Sequence, residues 1–384
     1  MKKPNLFLNI TLGLLVKIFA YLKGQRIIKK CNIKGPAIIL SNHTSFYDFL
    51  YTSAAMYPRR VNYLAARKMF YEPLTGFFLR LARTIPKSLM QADPLATLHA
   101  FRLLKKKAII SVFPEGQISP SGRSLMPAFS IAKFLRKANV DVYIVKHMGA
   151  GLSNPPWSKH SFHGRVETIK ELIIHKERLL DLCEQEVYQI VCDKLSHSES
   201  ANNVIKKHTY KLRDISNLEN VIYQCPKCQY EGLQSNKHEL VCPSCHHILT
   251  YDQYGLINGE GLDTHFLRQE LNVRKSIDED PSYHIEGKAS LMSFRNQRLV
   301  KVGYGIISIN RECYMYKGTI DQEVKEIEFN IRSTPTLPSD IGRNIQIYEG
   351  DKIFQFELEV KWLPTKMVHV GEYLYELSQK NVTK

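Results

Sequence analysis

The stretch AIILSNHTSFYDFL, residues 37–50, runs four apolar residues into a short polar segment and then into a helical pattern. An unbroken apolar run of this length suits a strand covered on both faces, so Ala37 to Leu40 reads as strand, 41–47 as loop and Phe49 to Ala55 as helix. Within it His43 stands five positions before Asp48. Residues five apart lie about 140° from each other around a helix axis, so the pair cannot meet on a helix face. It can meet if His43 sits in the loop and Asp48 in the first helical turn. The aspartate then accepts from one ring nitrogen, fixing the tautomer and supporting positive charge, while the other nitrogen faces a hydroxyl substrate. His43 is thereby a candidate general base for an attacking alcohol, and no serine or cysteine nucleophile is required. Ser41, Thr44 and Ser45 read as turn and cap residues, Ser45 with a weaker claim to touch substrate. The same spacing recurs at His247 and Asp252, so context must decide.

The pattern continues outward. VNYLAA at 61–66, AIISVF at 108–113 and VDVYIV at 140–145 read as further strands, with helical spacing at 73–81 and 95–105 between them. The expectation is an α/β domain with a mostly parallel sheet flanked by helices, whose ligand-handling groups gather at the carboxyl ends of strands. FPEG, residues 113–116, begins at a second such end, with rigid Pro114, permissive Gly116 and Glu115 between them. Residues 167–195 read as one long helix, and SHSESANN, 196–203, as a turn or linker.

Charge is distributed unevenly. Residues 1–165 carry 26 Lys+Arg against 5 Asp+Glu, whereas 166–384 carry 27 against 32, so the whole net charge of +16 lies in the first part. Such a half calls for an anionic partner: nucleic acid, an anionic membrane surface or a phosphorylated ligand. A disordered or collagenous chain is excluded by the 44% apolar content. The N-terminal segment from Leu6 to Leu22 is apolar with basic flanks, but is short for a span and contains Asn9, Thr11 and Lys17. It reads as an interfacial amphipathic helix on a cytoplasmic membrane face, peripheral or monotopic. A surface helix packed on the domain is the competing reading.

Of eight cysteines, Cys225, Cys228, Cys242 and Cys245 form CPKC and CPSC separated by thirteen residues. Paired knuckles at this spacing can set four thiolates around one ion, structural zinc by default, with rubredoxin-type iron and a redox dithiol as competitors. His246 and His247 read as loop residues. Beyond about residue 290, segments such as RLVKVGYGIISIN and KIFQFELEV alternate apolar and polar residues, giving a small antiparallel barrel or sandwich that ends in a more helical region. That pattern looks like pleckstrin-homology-type modules. The expected organisation is an interface helix at 1–30, an α/β domain at 31–165, a helical extension and linker at 166–215, a zinc ribbon at 216–255 and the antiparallel β domain at 256–384.

Together NHTSFYD and FPEG, with the intervening RKMFYEPLTGFFLRLARTIP, resemble the glycerolipid acyltransferase family over roughly residues 30–165. The resemblance implies acyl transfer from a thioester, acyl-CoA or acyl-carrier protein, to a hydroxyl of a membrane lipid. It casts His43 as base, Asp48 as its orienting partner and Glu115 as a residue that positions the acceptor or organises the site. Asn42 and Gly116 fall on the substrate side of those motifs. Three family positions depart: Gln117 and Ile118 follow FPEG, Leu89 stands where an arginine is usual, and PAFSIAK, with Ser130, replaces a later basic run. An isoleucine cannot replace a bidentate guanidinium. Lys87 and Arg123, with Arg83 and Lys133, are the candidates to compensate. Otherwise the acceptor is a lysophospholipid, glycolipid or other alcohol without that phosphate. A catalytically silent relative and a nucleic-acid-binding or scaffold protein are the remaining alternatives. No nucleic-acid partner is expected, because no aromatic and lysine interleaving typical of such modules occurs.

Overall fold

Ala37–Leu40 is a fully buried strand whose side chains alternate between two cores. The computed structural model describes residues 2–88, 93–296, 298–350 and 352–380. The chain divides into two compact units, the first comprising Met1–Pro156, His160–Arg213 and Gln253–Gly255.

In the first unit the elements follow in order: α1 (Leu6–Leu22), β1 (Gln25–Lys29), β2 (Ala37–Leu40), α2 (Asp48–Met56), β3 (Val61–Ala66), α3 (Pro73–Leu81) and β4 (Ile85–Lys87). They continue with α4 (Pro94–Lys105), β5 (Ile109–Val112), α5 (Ser130–Ala138), β6 (Asp141–Met148), α6 (Ala150–Ser153), β7 (Val166–Ile174), α7 (Lys176–Asp181), α8 (Glu184–Leu195) and α9 (Glu199–Lys206). The sheet order is β1-β7-β6-β2-β5-β3-β4, with β6, β2, β5, β3 and β4 mutually parallel and β7 antiparallel to β6. On one face Ile38, Leu40, Ile110 and Val142 meet Leu103, Leu135 and Val191. On the other, Ala37, Ile39 and Val145 meet Ala55 and Met56 of α2. Burial on both faces is why β2 reads as a continuous apolar run.

Two expectations are corrected here. Residues 167–195 are not one helix: Val166–Ile174 is a strand inserted between β1 and β6, and only the remainder is helical. The apolar positions of VETIKELII fit either period, and two open sheet neighbours decide for the strand. Residues 196–203 are not a linker: Ser198 caps α9 through Ala201 N–H at 3.1 Å, and Glu199, Ser200 and Asn203 are buried. Helix α1 forms as expected, with Ala20 its one buried residue; Phe7, Leu15 and Leu22 are exposed. No helix among the described residues is long and apolar enough to cross a membrane.

The second unit comprises Trp157–Lys159, Asp214–Asp252 and Leu256–Lys384. Its cysteine-bearing part carries β8 (Gln234–Asn236), β9 (Glu239–Val241) and β10 (Ile248–Thr250) as a small antiparallel sheet, then the hairpin β11 (Leu256–Ile257) and β12 (Glu260–Gly261). Helix α10 (Leu262–Glu279) leads to β13 (Ile285–Arg295), β14 (Arg298–Ile309), β15 (Cys313–Ile320), β16 (Glu323–Asn330), β17 (Ser339–Asp340), β18 (Asn344–Glu349), β19 (Lys352–Leu358) and α11 (Leu363–Lys380). The seven strands form one antiparallel sheet, ordered β16-β15-β14-β13-β19-β18-β17, in place of the expected barrel or two-sheet sandwich. Met367, Val370 and Leu374 of α11 and Ile277 of α10 complete its core with Tyr314, Tyr316 and Phe356. The cysteine-bearing segment docks on these helices: Gln269 Oε1 accepts the N–H groups of Tyr223 and Gln224 at 2.7 and 2.9 Å, and the Tyr223 ring stacks on Trp362 at 5.4 Å.

Candidate active site

The sheet sets the chemistry at the carboxyl end of β2. His43 lies in the loop after the strand, Asp48 opens α2, and His43 Nδ1 is 3.0 Å from Asp48 Oδ2. The same carboxylate oxygen accepts Thr44 N–H at 2.7 Å and Ser45 N–H at 2.8 Å, so the loop is wound around Asp48. Asp48 is fully buried while the His43 side chain keeps 20% of its exposure, so the pair presents one face outward. With Nδ1 engaged, Nε2 is the ring nitrogen left without a partner among the described residues. The Phe113 ring lies against the imidazole at 4.5 Å between centroids.

FPEG joins the pair through backbone. Glu115 Oε1 accepts His43 N–H at 3.0 Å, Oε2 accepts Leu125 N–H at 3.0 Å, and Ser119 N–H donates to the His43 carbonyl at 2.8 Å. Burial pushes the Glu115 carboxyl up to about 8, with Asp48 adding to the rise; its two N–H donors and Lys146 oppose it. Both oxygens are therefore committed to fixing loops. Gly116 takes φ +76, the left-handed conformation that turns the chain after Glu115.

The other expected positions separate. Asn42 is fully buried and exchanges two hydrogen bonds with the backbone of His147, at 2.7 and 2.8 Å. Its amide is thus spent on tying the loop to β6, a correction to its expected place on the substrate side. Ser45 Oγ donates to the Asn154 carbonyl at 3.0 Å, a turn role. Lys87, half-buried on β4, has its pKa lowered by burial, with Asp93 opposing. Arg123 and Arg83 are exposed, and Lys133 lies 4.0 Å from Glu184. Leu89 lies outside the described residues.

Sequence reasoning missed two buried groups. His147 is fully buried between Thr52 Oγ1 and Thr168 Oγ1, both at 2.9 Å, and burial lowers its pKa to about 4. Glu199 accepts Thr44 Oγ1 at 2.8 Å and Gly151 N–H at 2.9 Å, and also receives Gly149 N–H. Burial works to raise its pKa, but His197 and these donors prevail and hold it below the ordinary value. The available signal was Ser198 followed directly by the apolar-poor ESANN, which reads equally well as a loop.

In the second unit Cys225, Cys228, Cys242 and Cys245 bring their four sulfurs within 4.8 Å of one another. Cys225 Sγ to Cys245 Sγ is 3.7 Å and Cys228 Sγ to Cys242 Sγ is 3.6 Å. A tetrahedral four-thiolate site with metal–sulfur bonds near 2.3 Å has sulfur–sulfur edges of about 3.8 Å, so the set fits one ion. The repeated spacing at His247 and Asp252 lies in turns: Asp252 Oδ1 accepts Leu256 N–H at 2.9 Å.

The site is thus a strand-end histidine and aspartate, braced by a glutamate from a second strand end of a mostly parallel sheet. Residues 21–147, about a third of the chain, match the family described as Acyltransferase. The chain is 30% identical over 173 residues to the chloroplastic 1-acyl-sn-glycerol-3-phosphate acyltransferase LPAT1 of Arabidopsis thaliana, covering 41% of this chain and 47% of that protein. The chloroplastic 1-acyl-sn-glycerol-3-phosphate acyltransferase BAT2 of Brassica napus is 30% identical over 159 residues, covering 39% and 44%. The chain spans a little under half the length of these relatives. The crystal structure of the 1-acyl-sn-glycerophosphate acyltransferase PlsC from Thermotoga maritima is 19% identical, with a TM-score of 0.43 over 52% of this chain and 79% of that one.

Proposed function

We propose that this protein is an O-acyltransferase that moves a fatty acyl group from a thioester, acyl-CoA or acyl-carrier protein, to a glycerolipid hydroxyl. The observation that carries the reading is the His43 Nδ1 to Asp48 Oδ2 contact of 3.0 Å, with Nε2 left to meet a hydroxyl. His43 Nε2 takes the proton as the acceptor oxygen attacks the thioester carbonyl. The tetrahedral intermediate collapses with cleavage of the carbon–sulfur bond, and His43 returns the proton to the departing thiolate. Asp48 orients the ring and supports its transient positive charge. Glu115 holds the two loops that bring these groups together.

The relatives named above act, by their names, on 1-acyl-sn-glycerol-3-phosphate, and a lysophosphatidate-type acceptor is the first candidate here. Ile118, where the family carries an arginine, favours as a second reading an acceptor without a phosphomonoester. The exposed apolar residues of α1, beside a basic first half, support work at an anionic membrane surface. The four-cysteine set supports one structural zinc.

The test is thiol release from long-chain acyl-CoA or acyl-carrier protein by the full chain, with lysophosphatidate, lysophosphatidylcholine and monoacylglycerol as acceptors. Release with any of these that His43→Ala abolishes supports the reading. Folded protein that releases no thiol with any acceptor overturns it.

A further inference from the structure

Beyond the pair and its braces, the densest unassigned chemistry in the first unit is cationic. HSFHGR, 160–165, and KKHTYKLR, 206–213, hold eight Lys, Arg and His residues and no acid. The fold lays them beside the carboxyl end of α1. Gly24, at φ +89, packs so closely on this segment that a Cβ would lie 1.9 Å from the Gly164 carbonyl oxygen, and Val166 N–H bonds Gly24 O at 3.0 Å. Lys211 N–H donates to the carbonyls of Phe162 and His163 at 2.5 and 3.2 Å, setting the second segment on the first.

Lys23 Nζ consequently reaches Ser161 Oγ at 3.1 Å and lies 5.8 and 5.7 Å from the ring centroids of Phe19 and Tyr47. Glu167, the nearest carboxylate in sequence, is occupied by Arg165, Lys206 and His208 at 3.2–3.4 Å. Lys23, His163 and Lys211 have no acidic partner among the described residues. Burial, and then the charges of Lys23, Arg213 and Lys211, lower the His163 pKa. On the other side of Lys23 the helix ends in exposed Tyr21 and Leu22, with the Arg26 guanidinium 4.0 Å over the Tyr21 ring.

We propose that Lys23, His163 and Lys211 form a binding site for the phosphate of a lipid headgroup, placed where the apolar end of α1 meets the cationic loops. An apolar helix end leading directly into unpaired cations suits a ligand that is apolar and anionic at once, which a nucleotide phosphate is not. The site adjoins the reacting loop: Ser161 Oγ lies 2.5 Å from Asn154 Oδ1, and Ser45 Oγ donates to Asn154 O at 3.0 Å. It deepens the acyl-transfer reading by giving the enzyme a headgroup contact joined to the His43 loop through Asn154 and Ser45.

The experiment is flotation of the full chain with vesicles of phosphatidylcholine containing phosphatidate, or a fatty acid at matched surface charge, and it needs no turnover. Lys23→Gln/Lys211→Gln should weaken binding to phosphatidate vesicles by about tenfold or more, since each lysine near an anionic surface is worth about fivefold. Lys105→Gln/Lys106→Gln, which removes the same charge from exposed positions at the end of α4, should change it by about twofold or less. His163→Gln should weaken phosphatidate binding and spare fatty-acid vesicles. Equal losses in the two lysine variants, equal losses on both vesicle types, or displacement of the protein from phosphatidate vesicles by free coenzyme A would overturn the proposal. Binding that follows this pattern in a protein without turnover would sustain the site and remove the acyl-transfer reading. Turnover without the pattern would do the reverse.

Discussion

The Glu199 carboxylate accepts the Thr44 hydroxyl at 2.8 Å, joining residues 155 positions apart. One oxygen of a buried side chain thereby holds the loop between His43 and Asp48, while Gly149 and Gly151 tie the same group to the start of α6. Glu199→Ala strips three donors of their acceptor and is expected to destabilise the first unit by about 3 kcal/mol, read by chemical denaturation. Thr44→Val removes one bond only. It should cost about 1 kcal/mol and lower kcat by about tenfold or more through a displaced His43, with KM changing less.

The pair itself makes a sharper prediction. His43→Ala should abolish thiol release with the melting temperature little changed, because the ring is partly exposed. Asp48→Asn should lower kcat by about a thousandfold or more, since an amide nitrogen facing Nδ1 inverts the tautomer. Near wild-type kcat in either variant removes His43 as the base.

Acid sensitivity should trace to His147. The folded protein keeps this histidine neutral down to about pH 4, whereas the unfolded chain takes up its proton near 6.5. The unfolded state therefore binds more protons between these values, and stability falls as pH drops through that window, by up to about 3 kcal/mol. His147→Gln should flatten the curve there. An unchanged difference between pH 7 and pH 4.5 would remove His147 as the cause.

The four cysteines should hold about one metal ion per chain, zinc rather than iron. Chelation should release that ion together with four reactive thiols, and Cys245→Ser should lower metal content and loosen the segment docked through Tyr223 and Trp362. Elemental analysis and thiol titration measure both. A metal-free protein that keeps its four thiols protected from modification contradicts the assignment.

Local pattern was sufficient for much of the first unit. AIIL is buried throughout, AIISVF over its first four residues and VNYLAA over its first two, and all three read as strands; the five-residue gap forced His43 and Asp48 into loop and helix start, where they lie. The cysteine knuckles were equally legible, because a ligand set repeats in a short window.

Other features depended on partners remote in sequence. VETIKELII satisfies helical and extended periods alike, and became a strand because β1 and β6 each left it an unpaired edge. Glu199 looked like one polar residue of a linker. It is buried because Thr44, Gly149, Gly151 and His197 converge on it from other parts of the fold. Asn42 and Glu115 sit inside recognisable motifs, yet what each bonds was decided only when β6 and the loop from Ser119 to Leu125 were packed beside them. Periodicity and spacing are written in neighbouring residues, and they determine which segments form strands and helices and which polar side chains a loop and a helix start bring together. Which buried polar group is satisfied by which donor is settled by packing, because an unpaired polar atom in the interior costs too much to persist.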